Sequence, residues 1–575
     1  MQNQEVAQVF HEIADILEIQ GENSFRIRSY RNAAVTIEGL SEDVNSIYKK
    51  GALRGIPGVG ESIAEKVEEL IDTGKCKFHQ ELLKNCPHGV LDIMRVPGMG
   101  PKHAMLCFKE LAVDSIDRLR RAAEAGKLEG LPRIGKKLQA KILKGIEQLM
   151  ATEGKFKLIT AYRYAEAIIK ELKKLKTVEK IEVAGSLRRR KELIGDVDIL
   201  IISDEPQSVM DAFVKIDDIK EVLAKGNTKS SAVLRCGLQV DVRVLEKESF
   251  GAALYYFTGS KEHNIAVRDM AKKRGLKINE YGVFRGNKKN AGKKIAGKTE
   301  EEIFKALGLS YIEPELRENK GEIEAAKQGK LPHLIDEKDL RGDFHAHTRL
   351  TDGKDTIEEM ALAAKKMGYE YIALTDHSKA VTVAHGKDEK ELLRHFENID
   401  KLNKKLKGLV ILKGVEVDIK TDGSLDLNDD FLKQCDVVIA AIHSKFEMPR
   451  DEMTRRIIQG LQNKNVDIVA HLTGRLLKER APYPVDVEAV LKAAKDYGVL
   501  MELNAYPDRL DLNDAHCKLA KDMGVKIALG TDSHSAIQLG NMRWGVYTAR
   551  RGWLEKSDVI NTLSADKVLS LFNKR

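Results

Sequence analysis

The chain is short of features that usually narrow a reading early. No apolar run in its 575 residues approaches the ~20 that a membrane helix needs, so no membrane partner is expected. Its first residues, MQNQEVAQVFHEIADILE, pattern as an amphipathic helix with acidic residues rather than as a signal peptide. The six cysteines (Cys76, Cys86, Cys107, Cys236, Cys435 and Cys517) form no CxxC pair and read as reduced core thiols of a cytoplasmic protein. There is no strong excess of one charge either, the net being +8. Its placement says more, because residues 336–575 hold 38 Lys+Arg against 39 Asp+Glu. The positive excess therefore lies in the first three-fifths, which points to a nucleic acid partner there, with an ordinary solvated surface as the other reading that charge alone leaves open.

What is present is a sequence of distinct textures, and the length implies two to four domains. Residues 1–150 read as short helices broken by Pro-Gly turns. A motif recurs as Gly55-Ile-Pro-Gly-Val-Gly60, Val96-Pro-Gly-Met-Gly100 and Leu131-Pro-Arg-Ile-Gly135, each followed by a helical run. Such a turn presents backbone N–H groups at a helix N-terminus, and its glycines permit close approach, so a phosphate can sit there. In the third copy Arg133 replaces the first glycine. From about 155, a helical run precedes strand-like segments KIEVAGS, DVDILII, SAVLRCG and LQVDVRVL. Residues 315–340 are polar without a strand pattern and are expected to be a linker about which the C-terminal part swings. From 341, short apolar strands alternate with helical segments, a βα repetition that predicts a barrel-like α/β domain.

Two constellations carry chemistry. Asp196 and Asp198 lie two apart on a predicted strand and so share a face, and Asp241 comes from a later strand. Such a carboxylate set holds the metals that clamp attacking and leaving oxygens in phosphoryl transfer. Gly185-Ser186 upstream makes a turn able to hold a triphosphate, with Arg188 and Arg189 beside it. The second constellation spans His345 to His534. His345 and His347 alternate on one strand, and further ligands stand at successive strand ends, converging on one mouth of a barrel. Nitrogen and carboxylate ligands suit Zn2+, Mn2+ or Fe2+.

With these residues in view, the first 315 positions resemble the nucleotidyltransferase superfamily and, within it, the X-family DNA polymerases. Tyr256-Phe-Thr-Gly-Ser260, then Asn264 and Arg268, look like that family's nucleotide-pocket motif. FRIRSYRNAA with the first hairpin resembles its small 5′-phosphate-gripping domain, and the hairpins resemble the helix-hairpin-helix module. The resemblance implies that Asp196, Asp198 and Asp241 hold two Mg2+ or Mn2+ ions and are catalytic. Gly185, Ser186 and Arg189 would bind the triphosphate. Tyr256, Phe257 and Gly259 would wall the sugar pocket, Asn264 would touch the base edge and Arg268 the template. Gly58, Gly60, Lys66, Gly98 and Gly100 would contact DNA. Arg26, Tyr30 and Arg31 would line a 5′-phosphate pocket, and Lys66 stands where some members place a lyase lysine. Lys261 and Gln239 depart from the family's acidic residue and arginine, and Ser62 replaces a lysine.

The histidine-rich part looks like the PHP domain (polymerase and histidinol phosphatase). That resemblance implies a site of up to three ions held by His345, His347, Asp352, His377, Glu416, His443, His471, Asp532 and His534, with Glu416 bridging. His385, His395 and His516 fall outside the pattern.

The expected architecture is multidomain, α and α/β. It comprises helical helix-hairpin-helix domains at 1–85 and 86–150, a nucleotidyltransferase palm with a mixed sheet at 151–248 and a nucleotide-selection subdomain at 249–314. A linker at 315–338 and a distorted (β/α)7 PHP barrel at 339–575 complete it. The expected function is a gap-filling repair DNA polymerase with a PHP 3′→5′ exonuclease, acting on gapped or primed DNA with dNTPs as a cytoplasmic monomer. Abasic-site cleavage, 3′-phosphate removal and 5′-deoxyribose-phosphate lyase activity are further options. The alternative is a gap-sensing DNA-binding module that delivers a PHP nuclease with weak or no polymerisation. A small-molecule phosphatase is a third reading, disfavoured because a metabolite needs neither hairpins nor a basic N-terminal part.

Overall fold

The computed structural model describes residues 3–572 apart from 39, 41–43, 57, 87, 97 and 286–291. The chain divides into two compact units, residues 1–153 with 478–480, and residues 154–477 with 481–575.

The first unit's described elements between 3 and 152 are helices. One apolar core runs through them, with Phe10, Ile37, Val67, Ile93, Cys107 and Ile142 among its buried members. The three hairpin turns share one bond pattern: Val59 N donates to Ile56 O, Met99 N to Val96 O and Ile134 N to Leu131 O. Gly58 and Gly98 sit at φ 79° and 98°, and Arg133 adopts φ 68° at the matching place. The third copy thus keeps the turn at a backbone cost of roughly 1–2 kcal/mol. Pro57 and Pro97 of the motif lie outside the described residues.

In the second unit, a five-stranded sheet is built from β1 (Val178–Val183), β2 (Asp196–Ser203), β3 (Ile219–Lys225), β4 (Lys229–Leu234) and β5 (Gln239–Leu245). Their order is β1-β2-β5-β4-β3, with β2 and β5 parallel and the other pairs antiparallel, so the sheet is mixed. β3, an exposed edge strand, carried no recognisable pattern in the sequence. A small antiparallel sheet, β6 (Leu276–Asn279), β7 (Gly282–Arg285) and β8 (Lys293–Ala296), follows the helices Phe250–Thr258 and Lys261–Lys273.

Seven parallel strands then run in sequential order: β9 (Gly342–Asp343), β10 (Tyr371–Leu374), β11 (Val410–Asp418), β12 (Val437–Ala441), β13 (Ile468–Val469), β14 (Leu500–Asn504) and β15 (Ile527–Gly530). Just beyond β9 and β15, Ala346 bridges Ser533 in parallel, and His347 N donates to Ser533 O at 2.8 Å, which nearly closes the barrel. Burial on both faces gives these strands continuous apolar runs. Tyr371, Leu412, Ile439, Ile468 and Ala528 fill one cluster, while Ile372, Ile411, Val438 and Val469 pack with the surrounding helices in another.

The segment 315–340, expected from its polarity to be a linker, has structure of its own. It carries the helix Glu322–Gln328. Arg317 and Glu322 are fully buried, with Arg317 bonded to Glu300 and Glu322 to His263 at 2.6 Å. Arg550 of the barrel holds Glu315 at 2.8 Å. Glu315, Arg317 and Glu322 are thus buried and paired inside the fold, while most of the segment's other polar residues are exposed.

Candidate active sites

Parallel pairing of β2 with β5 sets Asp198 directly beside Asp241 and Asp196 beside Gln239. With a strand period of two, all three aspartates share one face. Burial first, then Asp196 and Asp241, push the Asp198 carboxyl up to about 7. A buried carboxyl crowded by two others fits a cation site. Gln239 donates to Asp241 Oδ1 at 3.1 Å, while Lys229 and Arg243 each stand 3.6 Å from its Oδ2. The two cations near Asp241 were not foreseen; the arginine lies two residues on from Asp241, and the lysine is visible only once β4 pairs with β5.

Gly185 explains itself sterically. Its φ is 62°, and an added Cβ would lie 2.8 Å from Asp198 Oδ2, so the turn packs directly on β2. The half-buried Ser186 follows in the short helix Gly185–Arg188. Arg189 donates from Nε to Glu318 at 3.0 Å and from Nη1 to the Thr258 carbonyl, close against Gly259. Arg188 instead pairs with buried Glu300. Tyr256 and Phe257 contact edge to face, and Arg243 lies over the Phe257 ring at 4.4 Å. Asn264 donates to Tyr256 O at 2.8 Å while its Oδ1 is buried without a hydrogen-bond partner, and Arg268 Nε donates to Asn264 O.

In the first unit, the helices Glu61–Thr73, Pro101–Leu111 and Lys136–Thr152 begin at Gly60, Gly100 and Gly135, none with a side-chain cap. Their first N–H groups are left for another acceptor. A Cβ at Gly60 or Gly100 would meet nothing within 4 Å, and neither has positive φ, so internal packing does not explain these glycines. Lys66 Nζ bonds Ser62 and lies 5.2 Å from the Phe78 ring, and Arg26 stands over the same ring at 5.3 Å. Tyr30 is buried, its ring stacked between Phe10 and Phe78. Arg31 is paired with Asp15 and Glu18.

The barrel brings all nine predicted ligands to its carboxyl mouth. His347, Asp352, His377 and His534 present ligand atoms within 4.8 Å of one another, as do His345, His347 and Asp532, and His377, Glu416 and His443. His471 Nε2 lies 2.9 Å from Glu416 Oε1. Shared members make these one centre, with Glu416 fully buried at its middle. The donor set fits metal ions on two observations. His347 Nδ1 is buried with no hydrogen-bond partner, and Glu416 Oε2, although 2.9 Å from His377 Nδ1, is outside hydrogen-bond geometry. Buried ligand-type atoms without hydrogen-bond partners are available to a metal ion. Burial, then His377 and His534, lower His347 to about 4, leaving the neutral ring that coordinates. Burial opposes protonation of His377, but Glu416 and Asp352 prevail and raise it to about 10.

Supporting residues escaped the sequence reading. Glu502 accepts from His345 Nδ1 at 2.5 Å and from His471 N at 2.7 Å. Asp418 lies 3.2 Å from His443 Nδ1, and Asn504 and Arg509 both donate to Asp532 Oδ2 at 3.1 Å. Some of them carry a signal: Asp418 follows Glu416 by two on β11, and Glu502 and Asn504 alternate on β14. His385, His395 and His516 are in none of the three ligand groups, and His395 instead faces Asp376 at 3.2 Å.

Residues 161–254 match the family described as DNA polymerase beta palm, and 253–318 match the DNA polymerase beta thumb. Residues 1–76 match a helix-hairpin-helix domain, 90–148 a SAM-like helix-hairpin-helix tandem and 343–506 the PHP domain. The DNA polymerase/3′-5′ exonuclease PolX of Bacillus subtilis is 37% identical over 577 residues, covering 100% of each chain. A probable phosphatase of Thermoanaerobacter sp. (strain X514) is 36% identical over 233 residues, 38% of this chain and 89% of the relative. One from Shewanella oneidensis is 34% identical over 208 residues, 34% and 78% respectively.

Proposed function

The chain belongs to the X-family DNA polymerases that carry a C-terminal PHP domain, and on that premise we propose how its parts divide the work. It is a DNA polymerase with a 3′→5′ exonuclease, and it uses DNA, dNTPs and divalent metal ions. Among the described residues no helix is long and apolar enough to cross a membrane.

Nucleotide addition falls to Asp196, Asp198 and Asp241 with two Mg2+ or Mn2+ ions. Gly185, Ser186 and Arg189 take the triphosphate, Tyr256, Phe257 and Gly259 the sugar, Asn264 the base edge and Arg268 the template. Excision falls to the nine-ligand PHP centre with Zn2+, Mn2+ or Fe2+. When bound, such ions polarise the phosphorus centre and lower the pKa of water. The protein's part is to gather imidazoles and carboxylates at one buried mouth, with the His347 ring held neutral. Gly58, Gly60, Gly98, Gly100 and Lys66 hold the DNA backbone, with 5′-phosphate capture beside Phe78. The domain boundaries follow those read from the sequence, 315–338 now counting with the parts it packs against. The biological role is gap filling in repair by a cytoplasmic monomer, which six free cysteines suit. Lyase action at Lys66, abasic-site cleavage and 3′-phosphate removal belong to the same proposal as secondary activities.

The observation that carries this reading is the coexistence of the three-aspartate face with an undiminished nine-ligand centre. The test uses a 5′-labelled primer on a one-nucleotide-gapped duplex with Mg2+ or Mn2+, with and without dNTPs. Asp198→Ala should abolish extension and keep shortening, and His345→Ala should do the reverse. Shortening without extension by the unaltered protein would reduce residues 1–315 to a DNA-delivery module.

A further inference from the structure

The turn that follows Ser186 is gripped by the barrel. Arg551, at the end of the barrel helix Met542–Arg551, is buried and donates from Nη1 to the main-chain carbonyl of Arg189 at 2.7 Å. The same Nη1 stands 3.1 Å from Glu318 Oε1, the oxygen that also accepts from Arg189 Nε at 3.0 Å. Its Nη2 is fixed by Asp514 at 2.6 Å. One guanidinium therefore sets both the backbone of Arg189 and the carboxylate that aims its side chain. Planar fork geometry makes such a brace directional.

Neighbouring contacts repeat the grip. Arg190 has φ 57°, a left-handed conformation that a non-glycine residue keeps only where its surroundings enforce it. Its guanidinium lies 4.2 Å from the Tyr547 ring of the barrel helix and 5.4 Å from Tyr162, and its Nε and Nη1 are buried with no hydrogen-bond partner. Arg475 of the barrel holds Glu192 at 2.7 Å. Three residues in the turn, Arg189, Arg190 and Glu192, are thus each held by a different barrel side chain.

We infer that Arg551 is a positioning residue for nucleotide addition: the nuclease barrel, through Arg551, holds the palm's triphosphate turn in the geometry that the incoming nucleotide needs. This rests on the assignment of Ser186 and Arg189 to the triphosphate. It makes nucleotide addition depend on a side chain of the nuclease barrel.

The test is steady-state single-nucleotide incorporation on gapped DNA, using the full chain with Arg551→Met, Arg551→Lys, Arg189→Ala, Ser186→Ala and the Arg189→Ala/Arg551→Met double variant. Affinity for gapped DNA, the rate of 3′ shortening and thermal unfolding are measured alongside. Arg551→Met should raise the dNTP KM on the order of tenfold, below the ~10²-fold that a full 1 Å misplacement costs. DNA affinity and shortening should hold. Arg551→Lys should fall between, and keeps the test open if the methionine variant does not fold. The double variant should add little to Arg189→Ala, since both act on one group. If Arg189→Ala and Ser186→Ala raise the KM but neither Arg551 variant does, the inference is overturned alone. If Arg189→Ala and Ser186→Ala leave the KM unchanged, the triphosphate assignment falls and the inference falls with it. Equal losses of extension, shortening and thermal stability in both Arg551 variants would show a purely structural role and overturn it too.

Discussion

His345 Nδ1 and the carboxylate of Glu502 lie 2.5 Å apart, both buried, with the other ring nitrogen of His345 turned toward His347, Asp532 and Glu416. The carboxylate fixes which nitrogen carries the proton and leaves Nε2 free to coordinate. It also accepts from His471 N, so one side chain orients two ligands.

Removing that charge should weaken the nuclease centre alone. Glu502→Gln is expected to lower metal affinity and 3′ shortening by about 10–100-fold, the usual effect of losing an outer-shell partner. Primer extension should stay at its original rate. Calorimetric titration of metal-stripped protein with Mn2+, run beside the gapped-primer assay, checks both halves.

Gly60 and Gly100 allow a test in which stability and binding part company. Neither glycine needs its lack of a side chain for φ or for internal space. Alanine at these N-caps should cost about 1 kcal/mol or less of stability. A methyl group at a phosphate-binding turn should still weaken gapped-DNA binding at every sequence. The slope of log K against log salt should fall by about 0.9 for each phosphate that the variant ceases to neutralise. Unchanged binding in both variants would remove the turns from the DNA interface.

The acid side of stability should report on Glu300. Burial alone would raise its carboxyl, but Arg317 and Arg188 overcome this and depress it to about 2. A depressed carboxylate contributes stability above its ordinary value, and that contribution is lost as pH falls toward the folded value. The window is therefore from about 4.5 down to about 2, and the full contribution at neutral pH is on the order of 3 kcal/mol. Glu300→Gln should unfold at lower temperature at pH 7, and its deficit should shrink as the pH falls from 4.5. A deficit constant with pH would mean that the pair with Arg188 and Arg317 is not its source.

Much of this architecture was legible because local and tertiary signals agreed. β10 and β12 read as apolar runs since parallel strands are buried on both faces, and the nine ligands stood at strand ends where a barrel converges them. The DxD of β2 declared its face through a period of two. What was illegible depended on partners far away in sequence. The polarity of 315–340 suggested a linker, but Arg317 and Glu322 are polar residues paired inside the core, and composition does not distinguish a paired charge from a solvated one. The stacking of Tyr30 between Phe10 and Phe78 likewise joins residues from separate helices. Glu502 looks like any strand glutamate until β14 stands next to His345.

Asp198 supplies the last prediction, because its proton must leave before the palm site can load. Burial with Asp196 and Asp241 raises it from an ordinary 3.8 to about 7. The folded, metal-free state then holds a proton that the unfolded chain releases, so stability declines as pH rises through this window and the full cost is present above 7. Asp198→Asn should therefore raise the unfolding temperature of metal-stripped protein at pH 8, with a smaller gain at pH 5, while abolishing primer extension. Metal binding displaces the same proton, so Mg2+ affinity should fall about tenfold per pH unit below 7. Calorimetry in two buffers of different ionisation enthalpy should show close to one proton released per palm site loaded at pH 6 and almost none at pH 8.5. Proton release that is flat with pH would mean that Asp198 does not hold the proton that its burial and two carboxylate neighbours impose.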